Sequence, residues 1–159
     1  MPTTLPDTTA LFLYKSIIVP WETQLKNESG CWDVKRSREA LKATDIQLEC
    51  VEVGEVEAVS QEFRRAGKKN FIVFVSASSQ MKDLFRHLRN CAAHASISSH
   101  KSRTKEPILR LSGTLLRKPD LAISGQFASA YLSQIVAALV TTPTARVMPN
   151  PAVHTDAAR

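Results

Sequence analysis

Glycine and aromatic side chains are scarce in this chain. Of its 159 residues only five are glycine, and aromatic residues make up 6%. Glycine-rich phosphate loops of the GxGxxG and GxxxxGK[ST] types are absent, as are GxSxG, HExxH and CxxC. The sequence therefore favours a non-enzymatic protein, and it predicts no cofactor.

Cysteines and long apolar runs are also few. Cys31, Cys50 and Cys91 form an odd set at wide spacing, unlike a disulfide framework or a zinc cluster. No apolar run reaches the roughly 18 to 20 residues that cross a bilayer, and the first residues do not read as a secretory signal. We expect a cytoplasmic protein with free thiols and no membrane association.

Charge is distributed unevenly along the chain. Residues 1–63 contain six Lys and Arg against eleven Asp and Glu, residues 64–118 contain thirteen against two, and residues 119–159 contain two against two. A strongly basic middle segment is typical of a surface that binds a polyanion. The same pattern arises when an acidic segment neutralises a basic one in the folded protein, and the sequence leaves both interpretations open.

Alternating strand and helix patterns predict one α/β domain over residues 11–140, between a flexible lead-in (1–10) and a disordered tail (141–159) that contains Pro, Ala and Thr. Four to five strands are expected in a parallel or mixed sheet with helices packed on it, in a Rossmann-like or flavodoxin-like layering. Strands are predicted at 11–19, 46–53, 71–75, 107–111 and 121–124, and helices at 33–42, 56–67, 81–95 and 126–140. A polar loop is predicted at 98–105 and a turn at Gly113.

The basic middle segment supplies the principal candidate site. Lys82, Arg86 and Arg89 recur at helical spacing on the polar side of helix 81–95, where they would be central phosphate contacts. A flexible loop would add further cations. The predicted nucleic-acid-binding residues are Arg64, Arg65, Lys68, Lys69, Lys82, Arg86, Arg89, Lys101, Arg103 and Lys105, and Arg110, Arg117 and Lys118 extend the same basic belt.

Serines between strand 71–75 and the following helix form a second candidate, an anion-binding loop made of Ser76, Ser78 and Ser79. Ligands bind at the carboxyl ends of parallel strands, and helix N-terminal N–H groups favour anions. Serine is also among the best N-caps, so capping alone is the favoured explanation of these residues.

Two further clusters contain residue types that bind metals or act as nucleophiles. His87, Cys91 and His94 are spaced so that they share one side of a helix, but Cys91 falls on the apolar stripe. A second cluster lies within and just after the strand predicted at 46–53, and no paired aspartates follow the next strand. Its members are Glu49, Glu52, Glu55 and Glu57. We predict no metal site.

Three functions follow from these patterns. The leading hypothesis is a small accessory protein that binds nucleic acid through residues 64–118, independently of base sequence and with strong salt dependence. The alternative is a protein–protein adaptor or regulator with opposed acidic and basic faces, in which the alanine-rich helix 126–140 serves self-association. The third is a binder of, or enzyme for, a phosphorylated small molecule at Ser76–Ser79.

Overall fold

The centre of the molecule is a five-stranded mixed sheet with the order β1-β2-β5-β4-β3. The computed structural model describes residues 4–28 and 32–140. Strands β1 and β2 are parallel, and the other neighbouring pairs are antiparallel. The α/β sheet with packed helices that the sequence predicts is confirmed. The strands are β1 Gln47–Val51, β2 Phe71–Val75, β3 Ile97–His100, β4 Ile108–Thr114 and β5 Leu121–Ala128.

Helices cover both faces of the sheet. They are α1 Asp7–Leu13, α2 Val19–Thr23, α3 Val34–Lys42, α4 Val56–Arg65, α5 Gln80–Ala93 and α6 Leu132–Leu139, and a π-helical turn, Tyr14–Ile18, joins α1 to α2. In β2, Ile72 and Phe74 face the large core under the other helices, whereas Phe71 and Val73 face α4. All five β2 residues are buried, as a continuous apolar run predicts for a central strand.

The strand predicted at 11–19 is wrong, because this segment is helical. Leu13, Ile17 and Trp21 are four residues apart and are buried together in the large core, so the apolar residues form a helical stripe rather than the two faces of a strand. Pro20 comes shortly after the π-helical turn, Tyr14–Ile18, within a continuous helical stretch from which it removes one backbone donor. Helix α1 also begins at Asp7, inside the segment predicted as a lead-in.

The second half of the sheet extends further than predicted. Strand β3 occupies the start of the predicted loop at 98–105, and Gly113 lies within β4 rather than in a turn. Residues 126–128, predicted to begin the last helix, instead complete β5, and α6 begins at Leu132. Pairing between β4 and β5 over residues 108–114 outweighs the helical pattern there. The tail predicted at 141–159 lies outside the described residues.

The end of α4 is fixed as the sequence predicts. Gly67 has a φ of +73°, and the Lys68 N–H donates to the Phe63 carbonyl at 2.9 Å, which is the hydrogen bond of a Schellman stop. The turn directs Lys68 and Lys69 into the loop that precedes β2.

Candidate nucleic-acid interface

The ten basic residues predicted from the sequence divide between two ends of the sheet. Strands β2 and β4 are both antiparallel to β5, so the loops that precede them, 66–70 and 101–107, lie at the same end. Helix α4 also finishes there, since it leads into the loop before β2. We call this group the basic end: Arg64, Arg65, Lys68, Lys69, Lys101, Arg103 and Lys105.

Hydrogen bonds hold both loops of the basic end against the last residues of β5. On one side, the Gln126 Nε2 donates to the Lys68 carbonyl at 3.2 Å, and the Ala128 N–H donates to Asn70 Oδ1 at 3.0 Å.

On the other side, the Ser129 N–H donates to the Pro107 carbonyl at 2.9 Å. The Ala130 N–H donates to Glu106 Oε1 at 3.2 Å. The two basic loops therefore flank the same strand terminus and are positioned relative to each other by the sheet.

The cations of the basic end form no ion pairs among the described residues, although Asp45 lines the same pocket as Lys68 and Lys69. Within the described residues, none of its seven cations takes part in a salt bridge. All except Arg64 are exposed, and in loops 66–70 and 101–107 Glu106 is the only acidic residue. Exposed, flexible cations that lack acidic partners are the groups that exchange counterions for phosphates.

Arg64 is the one partly buried member of the basic end. Its guanidinium carbon lies 5.8 Å from the centroid of the Phe71 ring, and its Nη2 donates to Ser124 Oγ at 3.3 Å. These contacts hold the cation over the sheet at the margin of α4.

A polar strip of the sheet continues from Arg64 toward the far edge. Ser98, Arg110 and Gln126 are register partners in adjacent strands, and Arg110 is exposed. Ser98 Oγ and His100 Nε2 are 2.9 Å apart. Partial burial and the neighbouring Arg110 lower the pKa of His100, so this side chain offers hydrogen bonds rather than charge at neutral pH.

Sequence reasoning missed this strip because it took β3 for a loop. The signal was present in the strand, which has the sequence ISSH: Ile97 and Ser99 are buried while Ser98 and His100 are not. Four residues are too few to distinguish such an alternation from a polar turn.

The three cations of α5 lie apart from the basic end. Helix α5 packs on the opposite face of the sheet from α4, since its apolar side chains join the large core. Arg86 Nη2 is 3.0 Å from Asp83 Oδ1, and Arg89 Nη2 pairs with Glu22 Oε1. Lys82, Arg86 and Arg89 therefore do not share a surface with the seven, and two of them already have acidic partners.

The donors of the serine loop are engaged within the chain. Asp83 Oδ2 accepts hydrogen bonds from Ser76 Oγ at 2.8 Å, from the Ala77 N–H at 3.0 Å and from the Ser78 N–H at 3.2 Å. Burial alone would raise the pKa of Asp83, but these bonds and the nearby Arg86 outweigh it and lower that pKa. An anion at this loop would have to displace an ionised carboxylate.

The His87, Cys91 and His94 group does not form a ligand set. His87 Nε2 donates to the Val75 carbonyl at 2.9 Å, and burial lowers the pKa of this histidine. Burial raises the pKa of the Cys91 thiol to about 12, whereas His94 is exposed. Across residues 4–28 and 32–140, no three His, Cys, Asp or Glu side chains are placed to hold a metal ion.

Comparison with known proteins identifies no relative, since no family model, no curated protein and no solved structure matches the chain. In the described part of the chain, every helix is too short or too polar to span a bilayer.

Proposed function

We propose that this protein binds the phosphate backbone of nucleic acid through the basic end. The observation that carries the proposal is the convergence of seven cations without salt-bridge partners, from α4 and two loops, at one end of the sheet. The proposal differs from the sequence-based hypothesis in one respect. It replaces Lys82, Arg86 and Arg89 as the central contacts by the cations of loops 66–70 and 101–107.

The chemistry of the basic end favours backbone contacts over base stacking. Phe71, Phe74 and Phe85 are fully buried, so none of them offers a ring to an unstacked base. The neighbouring Ser98, Gln126 and His100 can hydrogen-bond to phosphate or sugar oxygens. Binding should therefore be largely independent of sequence, with duplex bound at least as well as single strands.

The test is a titration of the protein with labelled duplex DNA, duplex RNA and single strands at several salt concentrations. If four of the seven cations contact phosphates, log Kd changes with log salt with a slope of about 3.6. Affinity then falls about 100-fold between roughly 50 and 200 mM salt.

A pair of double variants locates the contact surface. Arg103→Ser with Lys105→Ser removes two charges from the basic end, and Arg117→Gly with Lys118→Ser removes two charges from the opposite end of the sheet. None of these four side chains makes a hydrogen bond or salt bridge in the described part of the chain, so both variants should fold. We expect the first variant to lower the salt slope by about two and the second to leave it unchanged. Equal losses in the two variants, or no binding of the native protein at 50 mM salt, would refute the proposal.

The charge arrangement along α4 favours a second candidate function, head-to-tail self-association. Glu55 and Glu57 lie at the start of this helix, and Arg64 and Arg65 lie at its end. The acidic start adjoins the end of β1 and is opposite the basic end. Sedimentation velocity at low and high salt distinguishes the two functions, because salt-sensitive oligomers without DNA binding would favour self-association.

A further inference from the structure

A second basic cleft lies between α5 and the loop that joins β4 to β5. Its volume is about 760 Å³, and its lining includes Arg86, Arg89, Asn90, Leu116, Arg117 and Lys118. Among the residues that the structure describes, no Asp or Glu lines it. The cleft is at the opposite end of the sheet from the basic end, because the β4–β5 loop follows the carboxyl end of β4.

The cleft retains positive charge after its ion pairs are counted. Arg86 is paired with Asp83 and Arg89 with Glu22. Arg117 and Lys118 are exposed and have no salt-bridge partner in the described residues. Two uncompensated positive charges therefore face the two helical arginines across the cleft, an arrangement that suits a compact ligand with two or more negative charges.

Arg89 adds a donor that the protein itself does not satisfy. Its Nη1 donates to Asn90 Oδ1 at 3.1 Å and its Nη2 to Glu22, whereas its Nε is buried and has no acceptor among the described residues. A buried donor without a partner is destabilising, and an anionic acceptor that reached it would supply the missing hydrogen bond.

The backbone of the β4–β5 loop is strained at the same place. Arg117 has a φ of +61°, a conformation that is costly for a residue with a side chain and that recurs at ligand sites. The adjacent Leu116 is 87% exposed, so the loop presents an apolar side chain next to its two cations.

We infer that this cleft binds a small molecule that carries a diphosphate or triphosphate group. The phosphates lie between Arg117 and Lys118 on the loop and Arg86 and Arg89 on α5, and Leu116 contacts an apolar or planar portion of the ligand. The inference is independent of nucleic-acid binding at the basic end, because the two sites share no residue.

The test measures binding of inorganic pyrophosphate, ATP and adenosine by isothermal titration calorimetry at about 50 mM salt. The native protein should bind pyrophosphate and ATP but not adenosine, and ATP should bind more tightly than pyrophosphate because Leu116 contacts the nucleoside. In the Arg117→Gly, Lys118→Ser variant the Kd for pyrophosphate should rise at least tenfold. The glycine retains the positive φ, and thermal unfolding checks that the variant is folded.

The Arg103→Ser, Lys105→Ser variant is the matched control, since it removes the same charge at the basic end. Its Kd for pyrophosphate should equal that of the native protein. Equal weakening in both variants would show general attraction of anions and overturn the inference, as would the absence of pyrophosphate binding to the native protein at millimolar concentration. Of these two pairs only the control pair belongs to the basic end and should affect DNA binding, so the two proposals fail separately.

Discussion

Removal of the Asp83 carboxylate should destabilise the protein more than removal of any single surface charge. Three donors converge on its Oδ2 from Ser76 and from the Ala77 and Ser78 N–H groups, at 2.8 to 3.2 Å. A hydrogen bond to a charged group contributes about 1.5 to 3 kcal/mol, but donors that can turn to water recover part of this. Ala77 and Ser78 are exposed, so we expect Asp83→Ala to cost about 3 to 4 kcal/mol in the free energy of unfolding.

Two comparisons separate the loop hydrogen bonds from the ion pair with Arg86. Arg86 has a side chain that is 49% exposed, so Arg86→Ala should cost less than about 1 kcal/mol. Asp83→Asn retains one acceptor oxygen without its charge and should cost roughly half as much as Asp83→Ala.

Urea unfolding followed by tryptophan fluorescence measures these differences, because Trp21 and Trp32 both contact Phe85 in α5. Thermal unfolding should show a decrease in Tm of about 10 °C for Asp83→Ala. A cost below about 0.5 kcal/mol, or a cost equal to that of Arg86→Ala, would refute the reasoning.

The contribution of Asp83 to the free energy of unfolding depends on pH in a direction that its pKa determines. The pKa of Asp83 is lowered from its ordinary value of 3.8, so the unfolded chain binds the proton more readily than the native state does. The stability that Asp83 contributes is therefore fully present above about pH 3.8 and is lost as the pH falls through its lower native pKa. The stability difference between the native protein and Asp83→Asn should shrink in that range.

Three further predictions concern the core. Gly125→Ala should lower the free energy of unfolding by more than about 2 kcal/mol, because an added Cβ would lie 2.6 Å from the Phe71 carbonyl oxygen. A urea midpoint equal to that of the native protein would contradict this. At Gly113 an added Cβ would lie 2.7 Å from Cys91 Sγ, so Cys91→Ala should restore part of the stability that Gly113→Ala removes. If the unfolding free-energy changes of the two single variants simply add in the double variant, that contact is excluded. Burial is the main cause of the lowered pKa of His87, so the free energy of unfolding should fall as the pH decreases from about 6.5 toward the native pKa of this histidine. In His87→Gln the urea midpoint should depend less on pH over that range.

Local patterns were sufficient for the elements that are strongly periodic. The run at Phe71–Val75 predicted a central strand, and the apolar stripe of α5 predicted its buried side. Gly67 predicted the end of α4, because a positive φ at that position suits glycine. Each of these predictions depends on residues that are close in the chain.

Local patterns were insufficient where a short segment suits two structures. The segment at 11–19 is rich in β-branched and aromatic residues, but it is helical, and Leu13 and Ile17 lie four residues apart in the large core. Strand β3 and the end of β5 exist because β4 pairs with both neighbours, and such partners are distant in sequence.

The sequence by itself determined which residues are basic and that they are concentrated between positions 64 and 118. Only the tertiary structure decided which of them share a surface. The antiparallel pairing of β5 with β2 and β4 brings loops 66–70 and 101–107 together, while α5 carries its arginines to the opposite face and to acidic partners. Charge is a property of each residue. Whether charged residues lie together depends on the directions of the strands and on the face of the sheet against which each helix packs.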